Sequence, residues 1–237
     1  MNLIILFRTD FHDDHKVVLQ DSRKAHICDV LRAEPGNSLK VGLLNGLMGT
    51  GVITAMTENR VELHVELSEK PPGSLPVTLL LAMPRPKCFR RILQGVTSFG
   101  VKRIALFGAY RVEKSYWKSP WLEASELQRQ LILGLEQARD TQLPQVSLHP
   151  LFKPFVEDDL PALVQGMRCL VAHPDDGVAC PANLHEPVAI AVGPEGGFTN
   201  YELGLLKERG FESITLGQRV LRTEQAVPAL LGRLMGA

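Results

Sequence analysis

Five short runs of continuous apolar character set the architecture of the last two thirds of the chain: Val77–Met83, Arg103–Phe107, Arg168–Ala172, Val188–Val192 and Ser213–Leu216. They do not alternate polar with apolar, so they suit burial on both faces, as in a parallel sheet covered by helices. Helical stretches near 86–99, 121–139, 155–165, 199–209 and 223–235 fall between and after them. In such α/β sheets a ligand sits beyond the carboxyl ends of the strands. That directs attention to Pro84-Arg85-Pro86-Lys87, His173-Pro174-Asp175, Gly193–Phe198 and Gly217-Gln218-Arg219.

The first 70 residues have a different rhythm. Strands are expected at Leu3–Phe7, Leu39–Leu44 and Gly49–Ala55, the last two after turn signals at Glu34–Asn37 and Asn45-Gly46. Arg60–Leu67 alternates strictly, the period-2 pattern of a half-buried antiparallel strand. With one short helix around Lys24–Leu31, this reads as a small β-barrel. Pro71–Pro76 breaks the pattern, giving expected domains at 1–72 and 73–237.

A chain of 237 residues with 45% hydrophobic and 22% charged residues can bury a core without disulfide or metal staples. Its apolar runs fall far short of the ~18–20 residues of a spanning helix, so no membrane partner is expected. The N-terminus lacks a positive region and a small-residue cleavage site, which predicts no signal peptide. Cys28, Cys88, Cys169 and Cys180 form no CxxC pair, which predicts reduced structural thiols, a cytoplasmic protein and no metal.

Net charge is zero, yet its distribution is uneven. Residues 73–120 hold nine Lys/Arg and one Asp/Glu, whereas residues 121–237 hold nine and fifteen. The aromatic residues Phe89, Tyr110, Tyr116 and Trp117 interleave with the basic block. Such a surface suits a polyanion with unpaired bases, or else is a solvated face balanced by acids elsewhere.

Two segments carry chemistry. In Ala189–Thr199 a buried strand runs into Gly193-Pro194-Glu195-Gly196-Gly197-Phe198, and Thr199 then caps a helix with Glu202 in the capping-box position. Glycines let a ligand lie against bare backbone, but no Gly-Lys-Ser/Thr follows, so this is no P-loop. In Ser213–Glu224 the logic repeats: a strand, a Gly217 turn, and a helix beginning near Thr223. Leu216, Val220 and Leu221 can line an apolar slot for an adenine ring. Arg222 stands at a helix N-terminus, where a cation is electrostatically unfavourable. That placement points to a purpose or to an ion pair.

Together these segments resemble the two C-terminal motifs of the bacterial 16S ribosomal RNA uracil-N3 methyltransferases (the RsmE family) of the SPOUT superfamily. That family's pattern is close to GPEGGF(S/T), then LGxRILRxET about 17 residues on. This chain reads Gly-Pro-Glu-Gly-Gly-Phe-Thr from Gly193 and Leu-Gly-Gln-Arg-Val-Leu-Arg-Thr-Glu from Leu216, with Gln225 where Thr is usual. His26, Val30-Leu31-Arg32 with Gly36, and Glu136-Gln137 extend the resemblance along the chain.

The resemblance implies a PUA-like N-terminal barrel and a C-terminal α/β domain with a deep trefoil knot. It also implies a homodimer that uses S-adenosylmethionine to methylate N3 of a uridine in small-subunit ribosomal RNA. Carried over by position, Gly193, Pro194, Glu195, Gly196 and Gly197 line the methionine side of the cofactor. Leu216, Gly217, Val220, Leu221 and Arg222 close over its adenosine, and His173 sits beside the pocket. Arg222 is the candidate to stabilise charge on the uracil, and Glu195 or Glu224 to accept the proton. Arg32, Arg85, Lys87, Arg90, Arg91 and Arg111 are the implied RNA contacts. The chain departs from the family's QKATELGV helix, with Gly95 and Ser98 replacing its Lys and Glu. That leaves room for a different target base or ribose, or for an RNA-binding paralogue without turnover. A nucleotide-binding protein using Gly193–Phe198 for phosphate is a further alternative.

Overall fold

The computed structural model describes residues 2–174 and 177–236. Two compact units divide it.

The first unit is a mixed five-stranded sheet curled into a half-barrel around its own core. Its strands are β1 (Ile4–Leu6), β2 (Lys16–Leu19), β3 (Ser38–Leu43), β4 (Met48–Met56) and β5 (Val61–Glu69), in the order β1-β3-β4-β5-β2. Only β1 and β3 are parallel. The alternation read in β5 places Val61, Leu63 and Val65 inward with Ile4, Leu6, Val17 and Leu39. Helix α1 (Ser22–Ala25) runs into a π turn over His26–Val30, and Ile27 enters the same core. Arg23, from α1, bridges Asp10 and Asp21 at 2.6 Å each. Sequence reading missed β2, a four-residue strand at the sheet edge.

Leu135–Leu143, assigned by linear reading to the second domain, clusters instead with the first unit. The reason is hydrogen bonding far apart in sequence. Leu3 N–H donates to Glu136 O (2.9 Å), Asn45 N–H to Thr141 O (2.8 Å), and Leu143 N–H to the Asn45 side chain (2.9 Å).

The second unit is built on seven parallel strands: β6 (Val77–Ala82), β7 (Arg103–Phe107), β8 (Gln145–His149), β9 (Arg168–Ala172), β10 (Val178–Ala179), β11 (Val188–Val192) and β12 (Glu212–Thr215). Their order is β10-β12-β9-β11-β6-β7-β8. Every residue of β6 and β11 is buried, as continuous apolar runs require. The helices are α2 (Pro86–Ser98), α3 (Ala124–Ala138, which belongs to this unit as far as Gly134), α4 (Phe152–Pro154), α5 (Leu160–Leu163), α6 (Asn200–Glu208) and α7 (Thr223–Met235). One core layer packs Phe155, Leu160, Leu203 and Leu206 against Leu80, Ala105, Val171 and Ala191.

Three differences from the sequence reading have local causes. The helix expected from 121 starts at Ala124, because Pro120–Leu122 forms a 3-10 turn and Glu123 is extended. The helix expected at 155–165 is three pieces from Phe152 to Leu163, a π turn over Phe155–Asp159 separating α4 from α5. Edge strands β8 and β10 lack an apolar run, since neither has two neighbouring strands to bury it. Among the described residues no helix is long and apolar enough to cross a membrane.

Candidate functional site

All strands of the second sheet are parallel, so their carboxyl ends share one edge. Three of them, β9, β11 and β12, open there into a cavity of about 410 Å³. Ala172, His173 and Pro174 line it after β9, Val192–Phe198 after β11, and Ile214–Gly217 after β12. Arg219–Thr223, with Ala226 and Leu230 of α7, close the remaining side, and Arg111 enters from beyond β7.

The strand ends are tied together before any ligand is considered. His173 N–H donates to Ile214 O at 2.9 Å, joining the exits of β9 and β12. Thr215 Oγ1 bonds Gly217 O (3.2 Å) and Pro174 O (3.4 Å), and Gly217 turns at φ +115°. In the glycine-rich segment Gly197 N–H returns to Pro194 O at 2.8 Å, closing a turn with Gly197 at φ +71°. Phe198 then plunges into the core and stacks nearly parallel to Phe107, with centroids 6.2 Å apart. Thr199 caps α6 through a complete capping box with Glu202.

Every residue assigned from sequence to cofactor binding lines this one cavity: His173, Gly193–Gly197, Leu216, Gly217, Val220, Leu221 and Arg222. The two motifs are distant in sequence but meet here. Val220 and Leu221 are 75% and 39% exposed, so apolar side chains stand uncovered at the cavity wall. A Cβ on Gly196 would lie 3.0 Å from Arg111 Cδ, so the side chain of Arg111 lies directly over the bare Gly196 backbone.

Other assigned residues go elsewhere. Arg111, expected at the RNA, lines the cavity and donates through Nη1 to Gly196 O. Glu195 lines the cavity too, but its Oε1 accepts the Arg85 N–H at 3.0 Å, in front of α2. Glu224 lies outside the lining and faces Cys88 on α2. Burial and the Glu224 and Glu195 carboxylates push that thiol above its usual range, so it stays protonated and serves Glu224 as a donor. Arg90 stacks over the Trp121 ring at 4.1 Å, while Lys87 and Arg91 are exposed along α2. Arg32 is exposed in the first unit, in the left-handed region at φ +49°.

Sequence reasoning singled out Pro174 and Arg219 as strand-exit positions without assigning them a role, and it did not single out Thr215, which ends β12. The four cysteines are free thiols, and no cluster of three metal-ligating side chains occurs among the described residues.

The pocket residues fit S-adenosylmethionine. Bare glycine backbone permits close approach, exposed Val220 and Leu221 with half-buried Leu216 offer an apolar cover, and Arg111, Arg219 and Arg222 supply cations for a carboxylate. The size is within the range of small-molecule sites.

Comparison with known proteins agrees with this geometry. The RNA methyltransferase domain family matches residues 71–235. The ribosomal RNA small subunit methyltransferase E of Treponema pallidum is 31% identical over 235 residues, spanning 97% of this chain and 88% of that protein. Its counterpart in Synechocystis is 26% identical over 92% of this chain and 72% of its own length. Among solved structures, the ribosomal RNA small subunit methyltransferase E from Neisseria gonorrhoeae bound to S-adenosyl methionine superposes with a TM-score of 0.77 at 23% identity, covering 98% of this chain and 95% of that one. A Legionella pneumophila methyltransferase in complex with the bound cofactor gives 0.74 at 22%, covering 98% and 96%. The structural likenesses establish a shared fold. The domain match and the Treponema relative place the chain in the RNA methyltransferase family, among the ribosomal RNA small subunit methyltransferases E.

Proposed function

We propose that this protein transfers a methyl group from S-adenosylmethionine to N3 of a uridine in small-subunit ribosomal RNA, acting as a cytoplasmic homodimer. The observation that carries the reading is the convergence of Gly193–Phe198 and Leu216–Thr223 on one cavity with three guanidinium groups in its wall. The deep knot belongs to the same reading. Supporting it, β12 pairs with β9 on the side away from β11, while the segments after β11 and β12 face the same cavity.

When bound, S-adenosylmethionine supplies an electrophilic methyl group. The chain's own residues do the rest. Gly193–Gly197 let the donor lie against backbone, and Leu216, Val220 and Leu221 clasp its apolar part and exclude water. Arg222 and Arg111 offer positive charge where the uracil oxygens gain negative charge as N3 loses its proton. Glu195, steadied at Oε1 by the Arg85 N–H, is the carboxylate of the lining and takes that proton or orients a water. Glu224, turned towards Cys88, is better placed to hold the start of α7 against α2 than to act as base. Holding nitrogen and methyl in line supplies much of the acceleration in such a two-substrate step.

The test is calorimetric titration with S-adenosylmethionine, followed by methyl transfer to small-subunit RNA and to assembled subunits with nucleoside mass spectrometry. Saturable binding and 3-methyluridine are expected. Methyl on another base or on ribose would reassign the target. Binding without transfer to either substrate would make the protein a paralogue that keeps the pocket alone.

A further inference from the structure

The four aromatic residues interleaved with the basic block have separate fates. Phe89 is fully buried in the core, and Tyr116 donates to Glu113 Oε1 at 3.0 Å. Tyr110 and Trp117 line a second cavity, of about 820 Å³, at the exits of β7 and β8. Leu151, Phe152 and Tyr201 complete its mainly apolar wall. Tyr110 is 84% exposed, Leu151 67% and Tyr201 61%, so this wall leaves large apolar surfaces in water. Scattered exposed apolar residues mean little; three around one cavity mark a binding surface.

We infer that this second cavity receives an unpaired nucleobase of the RNA, next to the nucleotide presented to the first cavity. The inference rests on the methyl-transfer reading of that first cavity. Aromatic side chains offer base-stacking faces, and Lys114 and Lys153 on the lining offer charge to phosphate. Lys153 also reaches Glu157 at 3.7 Å, across an exposed pair that a phosphate can displace. Glu202, the one acid of the lining, is buried and already accepts from Tyr110 N–H, Thr199 N–H and Thr199 Oγ1 at 2.7–2.9 Å, so it presents no free charge.

Position is the second argument. The two cavities share their bounding segments: Arg111 faces the first while Tyr110 and Val112 face the second, and Phe198 faces the first while Thr199 faces the second. Gly108 lets the exits of β7 and β8 meet in the second cavity, since a Cβ there would lie 2.0 Å from Pro150 O. Neighbouring nucleotides of one splayed strand can therefore enter neighbouring cavities.

The experiment compares the parent with a Tyr110→Ala/Tyr201→Ala double variant and a Tyr110→Phe/Tyr201→Phe control, in steady-state methyl transfer to ribosomal RNA. Loss of one stacked base predicts a rise in KM for RNA of roughly 5- to 150-fold in the alanine variant. The phenylalanine variant keeps the parental KM, and the Kd for S-adenosylmethionine is the same in all three. Ultraviolet crosslinking of 5-iodouridine-substituted RNA should label the peptides carrying Tyr110 or Tyr201. An unchanged KM with no crosslink there overturns the inference while the methyl-transfer reading stands. Conversion of a parental dimer to monomers by the alanine pair, seen in sedimentation velocity, assigns the surface to a second copy of the chain and also overturns it. A parent that binds S-adenosylmethionine but modifies no RNA removes the methyl-transfer reading, and this inference with it.

Discussion

Arg111 lies across the bare backbone of Gly196: its guanidinium donates to the Gly196 carbonyl, and its Cβ is 3.2 Å from where a Cβ on Gly196 would stand. A basic residue from the exit of β7 thus becomes part of the wall formed after β11.

Gly196→Val should therefore act on the pocket rather than on the core. The added side chain displaces Arg111 and occupies backbone surface meant for ligand. Calorimetry is expected to show S-adenosylmethionine affinity weakened at least 10-fold, about 1.4 kcal/mol or more. The melting temperature should change little, because Gly196 is exposed. Parental affinity in this variant would remove the Gly193–Gly197 segment from the site.

Glu202→Ala should destabilise the second unit. It leaves the part-buried backbone donors of Tyr110 and Thr199 without their acceptor and abolishes the capping box of α6. Losses of this kind cost about 2–4 kcal/mol in total, measurable by urea denaturation. Glu202→Gln, which keeps an acceptor, should lose less.

Glu136 carries a pH dependence. Burial raises its carboxyl above the usual range, against weaker lowering by the Ile5 N–H and the Arg23 charge. A carboxyl with a raised folded-state pKa binds more protons folded than unfolded, so stability falls as pH rises from the unfolded value through the folded one. Glu136→Gln should thus be more stable than the parent at neutral pH and indistinguishable below about pH 4. Denaturation at several pH values checks this. A difference independent of pH would show that the carboxyl is not the cause.

Lys87→Glu/Arg91→Glu should weaken RNA binding and reduce its salt dependence while leaving S-adenosylmethionine binding intact. Each lost phosphate contact lowers the slope of log K against log salt by about 0.7–0.9. Arg91 is a cleaner probe than Arg90, whose stacking on Trp121 adds a packing loss to the loss of charge. An unchanged slope in filter-binding titrations would move the RNA surface off α2.

The parallel sheet was legible in sequence because it depends on local pattern, and the residues that line the first cavity were singled out from their glycines and from the family resemblance. Val188–Val192 is buried throughout as its composition demands, and the glycines after it stand at the strand exit where a ligand needs bare backbone. Edge strands such as β8 were not legible, since a strand with one neighbour needs no continuous apolar run. The membership of Leu135–Leu143 in the first unit was also invisible, being fixed by bonds to Leu3 and Asn45 far upstream. Side-chain direction was the remaining gap. The family resemblance put Glu195 and Glu224 at the chemistry and Arg111 at the RNA, but only packing shows that Glu224 turns to Cys88 and Arg111 turns inward. Tyr201 escaped notice because its partners, Tyr110 and Leu151, come from other strand exits.

Buried Glu202 binds the Tyr110 backbone with one oxygen and Thr199 with the other. Glu202 therefore ties together the two segments that bound both cavities. A ligand that orders this shared partition from one side leaves less disorder for a ligand on the other side to remove, so the methyl donor and the RNA should each tighten the other's binding, by equal factors. A carboxylate already saturated by Tyr110 and Thr199 would then couple the two cavities through the backbone it holds.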